Sequence, residues 1–305
     1  AVAYTKWMKH FDSTYYFHQS IPIYSPHSNI YSNNTINPKT SKDYEVSVQF
    51  LPESGQLISG KLNTIAFKAV NAFGLPESIH GVIKNSKGDS VNSFKTTHDG
   101  MGKVQCIFNA SETYHAEWID LLGKKHTTTL PEVNSMGVNM YLENGKGNRL
   151  FHIQRTYNVP ASLKQLIMIG QMNGTILFKT SIDLTLRESL TASLPLNKMP
   201  TGILQLTLFD TEQHPVSERL VFVKNDNYKC DVDVSFDTLH LDRRGKNVVS
   251  ISLKDSSFTN VSLSISDASI SSEPNSTIVS QLLLQSDLTG KVYDPQYYFS
   301  SNADS

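Results

Sequence analysis

At 305 residues the chain exceeds one ordinary β-sandwich and has the length of two or three domains of roughly 100 residues each. Hydrophobic residues make up 39% and charged residues 18%, a globular balance that excludes a disordered chain. A formal net charge of -1 gives no electrostatic reason to expect nucleic acid or acidic lipid as a partner, and no run approaches the roughly 18 apolar residues of a membrane helix.

Residues 1–8 (AVAYTKWM) place Val2, Tyr4, Lys6 and Met8 on one side and Ala3, Thr5 and Trp7 on the other, which predicts a strand. No hairpin partner precedes it, so residues 1–23 are expected to be the last strand of a preceding β-sandwich. Tyr15, Tyr16 and Phe17 would be packing surface there. Residues 24–44 are rich in Ser, Asn, Pro and Thr and predict a linker.

Short alternating runs then dominate. Ile65, Phe67 and Ala69 share a face before Gly74-Leu75-Pro76, and Ile79, Gly81 and Ile83 follow with a turn at residues 86–89. Val104, Cys106 and Phe108 come after Gly100-Met101-Gly102, and Tyr114, Ala116 and Trp118 close the set. Period-2 alternation broken at short intervals by Gly, Pro, Asn and Asp predicts an antiparallel sandwich over residues 45–132. A second is expected over 133–226. Val138, Met140 and Leu142 open it, and strands are expected at 150–157, 163–170 and 176–186. ILQLTLFD and ERLVFV then read as a hairpin with Leu204, Leu206 and Leu208 on the core side.

Residues 227–305 are expected to be a partial β domain, with strands around Val232, Val234 and Phe236, at 248–253 and at 261–265. The period then changes. Ile278, Val279, Leu282 and Leu283 have helical spacing, with Asn275 or Ser276 as N-cap and Gly290 just past the end.

Few motifs invite chemistry. Thr96-Thr-His98-Asp99-Gly100-Met101-Gly102 is expected to be a tight turn that tucks Met101 into the sandwich, since no nucleophile stands at a recognisable spacing from His98 and Asp99. Arg219 is expected to pair with Asp210 across its hairpin. Asp231, Asp233, Asp237, His240 and Asp242 lack the spacing of a calcium loop and alternate with Val232, Val234, Leu239 and Leu241, as a solvated strand face does. Cys106 reads as a buried free thiol, and Cys230 lies near a junction in a different predicted domain, so no bridge between them is expected. Asn33, Asn109, Asn173, Asn260 and Asn275 begin Asn-x-Ser/Thr sequons, which imply surface glycans in a secreted eukaryotic protein and are incidental in a bacterial one.

The segments FLPESGQLISGKLNTIAFKA, TTHDGMGKVQCIF, GILQLTLFD with PVSERLVFV, and LLLQSDLTGKVYDPQYYF resemble, in this order, landmarks of macroglobulin-like domain arrays. Such arrays occur in Bacteroidetes cell-envelope proteins, often upstream of a TonB-dependent receptor plug domain. AYTKWMKHF followed by YYFHQSIPI resembles the end of the preceding domain, so the likeness covers nearly the whole chain. It implies an all-β chain of tandem immunoglobulin-like or macroglobulin-like antiparallel β-sandwiches of seven strands, with one short helix near the C-terminus. It further implies a non-enzymatic spacer or interaction module, periplasmic or outer-membrane associated. Its partners would be other domains of the same protein or other envelope proteins, with no catalytic, cofactor-binding or metal-binding residues. The thioester motif Cys-Gly-Glu-Gln surrounds neither Cys106 nor Cys230, so covalent trapping of proteases is not implied. The competing reading is a glycan- or peptide-binding sandwich. It requires exposed aromatic rings in a row; Trp7 and Trp118 are too separated in sequence to show one, and the exposure of Tyr141, Tyr157 and Tyr297 decides it.

Overall fold

The computed structural model describes residues 2, 3, 6, 8–10, 17, 18, 45–144, 149–240, 242, 244–254, 261–263, 276–290, 292–300 and 303. The chain divides into two compact units, Ala1–Tyr44 and Glu45–Ser305. In the first, β1 (Val2–Ala3) pairs antiparallel with β2 (Phe17–His18), and Met8–His10 forms a 3-10 turn. The strand expected over residues 1–8 is thus confined to Val2–Ala3 among the described residues. Its partner comes from downstream. Trp7, Tyr15, Tyr16 and the expected linker lie outside the described residues.

The second unit begins with β3 (Val46–Pro52), β4 (Leu57–Ile58), β5 (Leu62–Asn71), β6 (His80–Asn85), β7 (Ser90–Lys95), β8 (Met101–Ile107), β9 (Tyr114–Ile119), β10 (Lys125–Thr129) and β11 (Val133–Asn134). Sheets ordered β3-β5-β8 and β10-β9-β6-β7 face each other across one core, and β4 pairs parallel with β11 beside them. Next come β12 (Val138–Asn144), β13 (Arg149–Arg155), β14 (Gln165–Met172), β15 (Thr175–Asp183), β16 (Ser189–Leu194), β17 (Gly202–Phe209) and β18 (Pro215–Val223). These form sheets β12-β13-β16 and β15-β14-β17-β18 around a second core. The two sandwiches repeat one plan: β3, β5 and β8 correspond to β12, β13 and β16, and β6, β7, β9 and β10 to β14, β15, β17 and β18. Three strands against four, all antiparallel within each sheet, is an immunoglobulin-like sandwich. The fold is all-β with one short helix among the described residues.

Alternation builds both cores. Phe50, Phe67 and Phe94 meet at ring-centroid distances of 5.0 to 5.7 Å in the first, and Leu204, Leu206 and Leu208 are fully buried in the second. Tyr114 starts β9 and accepts a hydrogen bond on its hydroxyl from the Asn109 N–H at 2.8 Å, the corner that ties such a strand to the loop before it. Cys106 is buried and free, its thiol pushed up to about 11 by burial, and Cys230 is free and exposed.

Four connections share one turn. In 71–75, 85–89, 120–124 and 210–214, an Asn or Asp side-chain oxygen accepts from the backbone N–H two and four residues on. The fourth residue has positive φ in each: Gly74, Gly88, Gly123 and Gln213. The first residue's N–H and C=O close the loop around it, as in a hairpin with a type I turn and a following left-handed residue. The Asp99-Gly100 and Asn173-Gly174 turns instead have positive φ at both central residues, the two-residue geometry that suits strand twist.

The structure departs from expectation in several places. β7 (SVNSFK), β10 (KHTTT) and β16 (SLTASL) are polar edge strands that alternation alone did not announce. Arg219 does not pair with Asp210. Its guanidinium reaches Glu53 at 3.0 Å, because Asp210 is already taken by the N–H groups of its own turn. Residues 261–263 are not a strand, and Val261 and Leu263 are exposed. The helix α1 (Ile278–Leu283) has Thr277 as its N-cap in a capping box with Ser280, not Asn275 or Ser276. It turns Ile278 and Leu282 outward and buries Ser280, while Leu284 is buried at its end. Before α1, β19 (Val232–Thr238) and β20 (Val248–Leu253) form a two-stranded hairpin among the described residues, with Val232, Val234 and Phe236 exposed.

Candidate binding cleft at the sandwich junction

The two sandwiches are joined by more than a tether. The chain leaving β10 pairs with β4 through β11, and the Ser59 N–H donates to the Asn134 carbonyl at 2.9 Å. From the second sandwich, Asn139 Nδ2 donates to the Leu62 carbonyl at 2.8 Å and Ser217 Oγ to the Ser54 carbonyl at 3.2 Å. Lys61 meets Glu188 at 2.7 Å, and this contact holds the Glu188 carboxyl below the ordinary glutamate range. Glu53 is almost fully buried against Arg219, and the neighbouring Arg149 has its guanidinium pKa lowered by burial first and then by the Arg219 charge. At Gly137, whose φ is +155, an added Cβ would stand 2.6 Å from the tip of the Ile58 side chain, which would have to shift to admit it.

The segment after α1 folds back onto this junction. Tyr297 stacks on His98 of the first sandwich at 3.7 Å, while Phe299 meets Phe222 of the second edge-on at 5.3 Å. The Lys224 ammonium also donates to the Ser300 carbonyl. Three pieces of chain therefore enclose a cleft of about 480 Å³, with Asp99 and Met101 from the first sandwich, Arg219 and Phe222 from the second, and Tyr293 and Tyr298 from the C-terminal segment. That volume is in the range of small-molecule sites.

The Asp99-Gly100 turn sets one wall. An added Cβ at Gly100 would stand 2.2 Å from the Ala69 carbonyl oxygen, and at Gly102 one would run into the Phe67 ring at 2.4 Å. Only Gly100 of the two has positive φ, and Met101 is half-buried at the cleft as the turn places it. His98 Nε2 lies 3.0 Å from the Asp99 carboxylate, and Tyr297 covers the ring. Burial, then the Asp99 carboxylate, raises the Tyr298 phenol above its ordinary pKa.

Other candidates scatter. Asp231 meets Lys254 at 3.4 Å and Asp237 accepts from Ser250, which spreads the acidic residues along an open hairpin. Asp210, Glu212 and His214 bring ligand atoms within 4.8 Å of one another on an exposed turn that the sequence did not single out. Trp118 and Tyr141 are buried, each stacked on a histidine, and Tyr157 is exposed. These rings form no row for a sugar to lie on. Among the described residues no helix is long and apolar enough to cross a membrane.

No protein-family model matches the chain, and no curated protein matches it. Solved structures similar to it include the fibronectin(III)-like modules of Clostridium thermocellum CbhA, at 14% identity over 58% of this chain and 94% of that one, with a TM-score of 0.23. A Salmonella alpha-2-macroglobulin variant is 10% identical over 70% of this chain and 19% of that one, TM-score 0.24. Invasin, a bacterial integrin-binding protein, is 11% identical over 70% of this chain and 46% of that one, TM-score 0.26.

Proposed function

We propose that this chain is a non-enzymatic spacer and docking module of a bacterial cell-envelope protein, in which macroglobulin-like sandwiches spanning 45–132 and 133–226 hold neighbouring domains at a fixed angle. The observation that carries this reading is the junction. Strand pairing, two inter-sandwich ion pairs and two side-chain-to-carbonyl bonds connect the sandwiches, and the aromatic segment Tyr297–Phe299 touches both. Surface ion pairs alone add little, but Glu53 is buried, and a buried carboxylate that lost Arg219 would lose its only direct ion pair among the described residues and keep just the nearby Arg149 charge. Such a junction resists bending, as a spacer must.

The finer placement, upstream of a TonB-dependent receptor plug, follows the sequence resemblance of the four landmark segments. Nitrogen-15 relaxation on the chain in solution tests the mechanical reading. One rotational diffusion tensor fitting the amides of both sandwiches is the expected result. Two separate correlation times, each that of a domain of about 100 residues, would overturn it.

A further inference from the structure

The outward face of sheet β10-β9-β6-β7 is hollow and encloses about 1030 Å³. Ile83, Phe94, Ala116 and Trp118 point into the core, so strand alternation turns the residues between them to the outside. Register sets those residues in rows across the strands. Lys125, Ile119, His80 and Lys95 stand side by side in one row, and Thr127, Glu117, Val82 and Ser93 in the next. Three lysines, Lys95, Lys103 and Lys125, line the hollow against a single carboxylate, Glu117. That carboxylate is occupied. Lys84 holds it at 2.8 Å and keeps its pKa below the ordinary glutamate value. The three lining lysines have no ion-pair partner among the described residues. This basic hollow belongs to a chain whose net charge is -1, so it is a local concentration of charge and not a property of the whole surface.

Shape narrows the occupant. Lys125 and Lys95 lie three strands apart, about 14 Å at the usual strand spacing, with half-buried Ile119 and exposed His80 side by side between them. An extended peptide crossing the strands presents side chains i and i+4 about 13 Å apart on one face, with residue i+2 midway. The rings that line the hollow, Phe94 and Trp118, are buried, so no platform is offered to a sugar.

We propose that this hollow receives an extended acidic segment of another polypeptide, whose carboxylates four residues apart meet Lys95 and Lys125 while an aliphatic side chain between them lies on Ile119. The inference rests on the docking half of the reading above and names the chemistry of the partner.

The test is a chemical-shift titration of the whole chain with the peptide Ser-Glu-Ser-Val-Ser-Glu-Ser, with its Lys-for-Glu counterpart and polygalacturonate as comparison arms. Shifts confined to β6, β7, β9 and β10 are expected, with binding at least about ten-fold weaker in K95E/K125E and weakening with added salt. Both substitutions are at exposed edge-strand positions, and an unchanged amide spectrum outside the hollow verifies the fold of the variant. The proposal is overturned by shifts elsewhere, by no shifts at all, by equal binding of the lysine peptide or of the variant, or by polygalacturonate filling the hollow where the peptide does not. The relaxation measurement stays separate. Independent tumbling of the sandwiches with peptide still bound in the hollow would sink the spacer and leave the docking site standing.

Discussion

Asp120 and Asp210 show how single side chains carry the turns. They occupy corresponding hairpins, β9–β10 and β17–β18, and each accepts two backbone N–H bonds within its own loop. Burial pushes the Asp120 carboxyl up, but the His126 ring at 2.8 Å and the N–H groups of Lys124 and Leu122 outweigh it, and the net pKa is lowered. A carboxylate with a lowered folded pKa adds stability above its unfolded value of about 3.9, and that stability is lost as pH falls through the folded value. Asp120→Asn keeps the turn, since Asn71 and Asn85 build the same one, but removes the charge. Its urea midpoint should therefore lie below that of the parent at pH 7, and the gap should close as pH falls from about 3.9 through the lower folded value. A constant gap across that range would mean the charge is not what matters. Gln213 is the odd member of the set, at φ 68 where the other three turns have glycine. Gln213→Gly relieves a left-handed side chain at some cost in unfolded-state entropy, and should stabilise by up to about 1 kcal/mol in denaturant unfolding. A loss of stability would show that the Gln213 side chain makes up for its backbone.

At the scale of elements, legibility followed burial. Strands with one face in the core, such as β5, β9 and β17, announced themselves by alternation, because a period of two is forced wherever one side of a strand meets apolar neighbours. β7, β10 and β16 did not. They sit at sheet edges where one hydrogen-bonding side is open, and a charged or hydroxylic edge discourages further pairing, so their composition reads as loop. The helix was found by its period, but of its four apolar residues only Val279 and Leu283 are half-buried. The stripe of Ile278 and Leu282 is exposed, and what packs inward is the capping pair Thr277 and Ser280, bonded in turn to Gln296 at 2.6 and 3.4 Å. No periodicity of apolar residues contains that. The Arg219 partner was illegible for a related reason. Glu53 is distant in sequence and arrives only when one sandwich docks on the other. The cleft was hidden in the same way, its walls coming from three stretches that meet only in the folded chain.

For the whole molecule, the repeated sandwich plan raises the question of whether two similar domains unfold as one body. Two equal seven-stranded units on a loose tether would unfold independently, each according to its own core. Here the aromatic segment after α1 contacts both, with Tyr297 on His98 and Phe299 on Phe222, and each such ring contact adds about 0.5–1.5 kcal/mol beyond the area it buries. These contacts come into being only when both sandwiches are folded, so they are a coupling term between the domains. Tyr297→Ala removes the stack on His98, leaving only Tyr298 edge-on to that ring at 6.1 Å, and does not touch the second core. Calorimetry should then resolve one transition of the parent chain into two. The lower should fall by several degrees, for a loss on the order of 2 kcal/mol. Hydrogen exchange at Thr97 and Met101, whose amides close the Asp99-Gly100 turn, should accelerate in step, while amides of β17 keep their protection. If the parent chain already unfolds in two well-separated steps, or if Tyr297→Ala leaves a single step in place, the segment is a passenger on the junction and the coupling lies in β4, β11 and the Glu53–Arg219 pair instead.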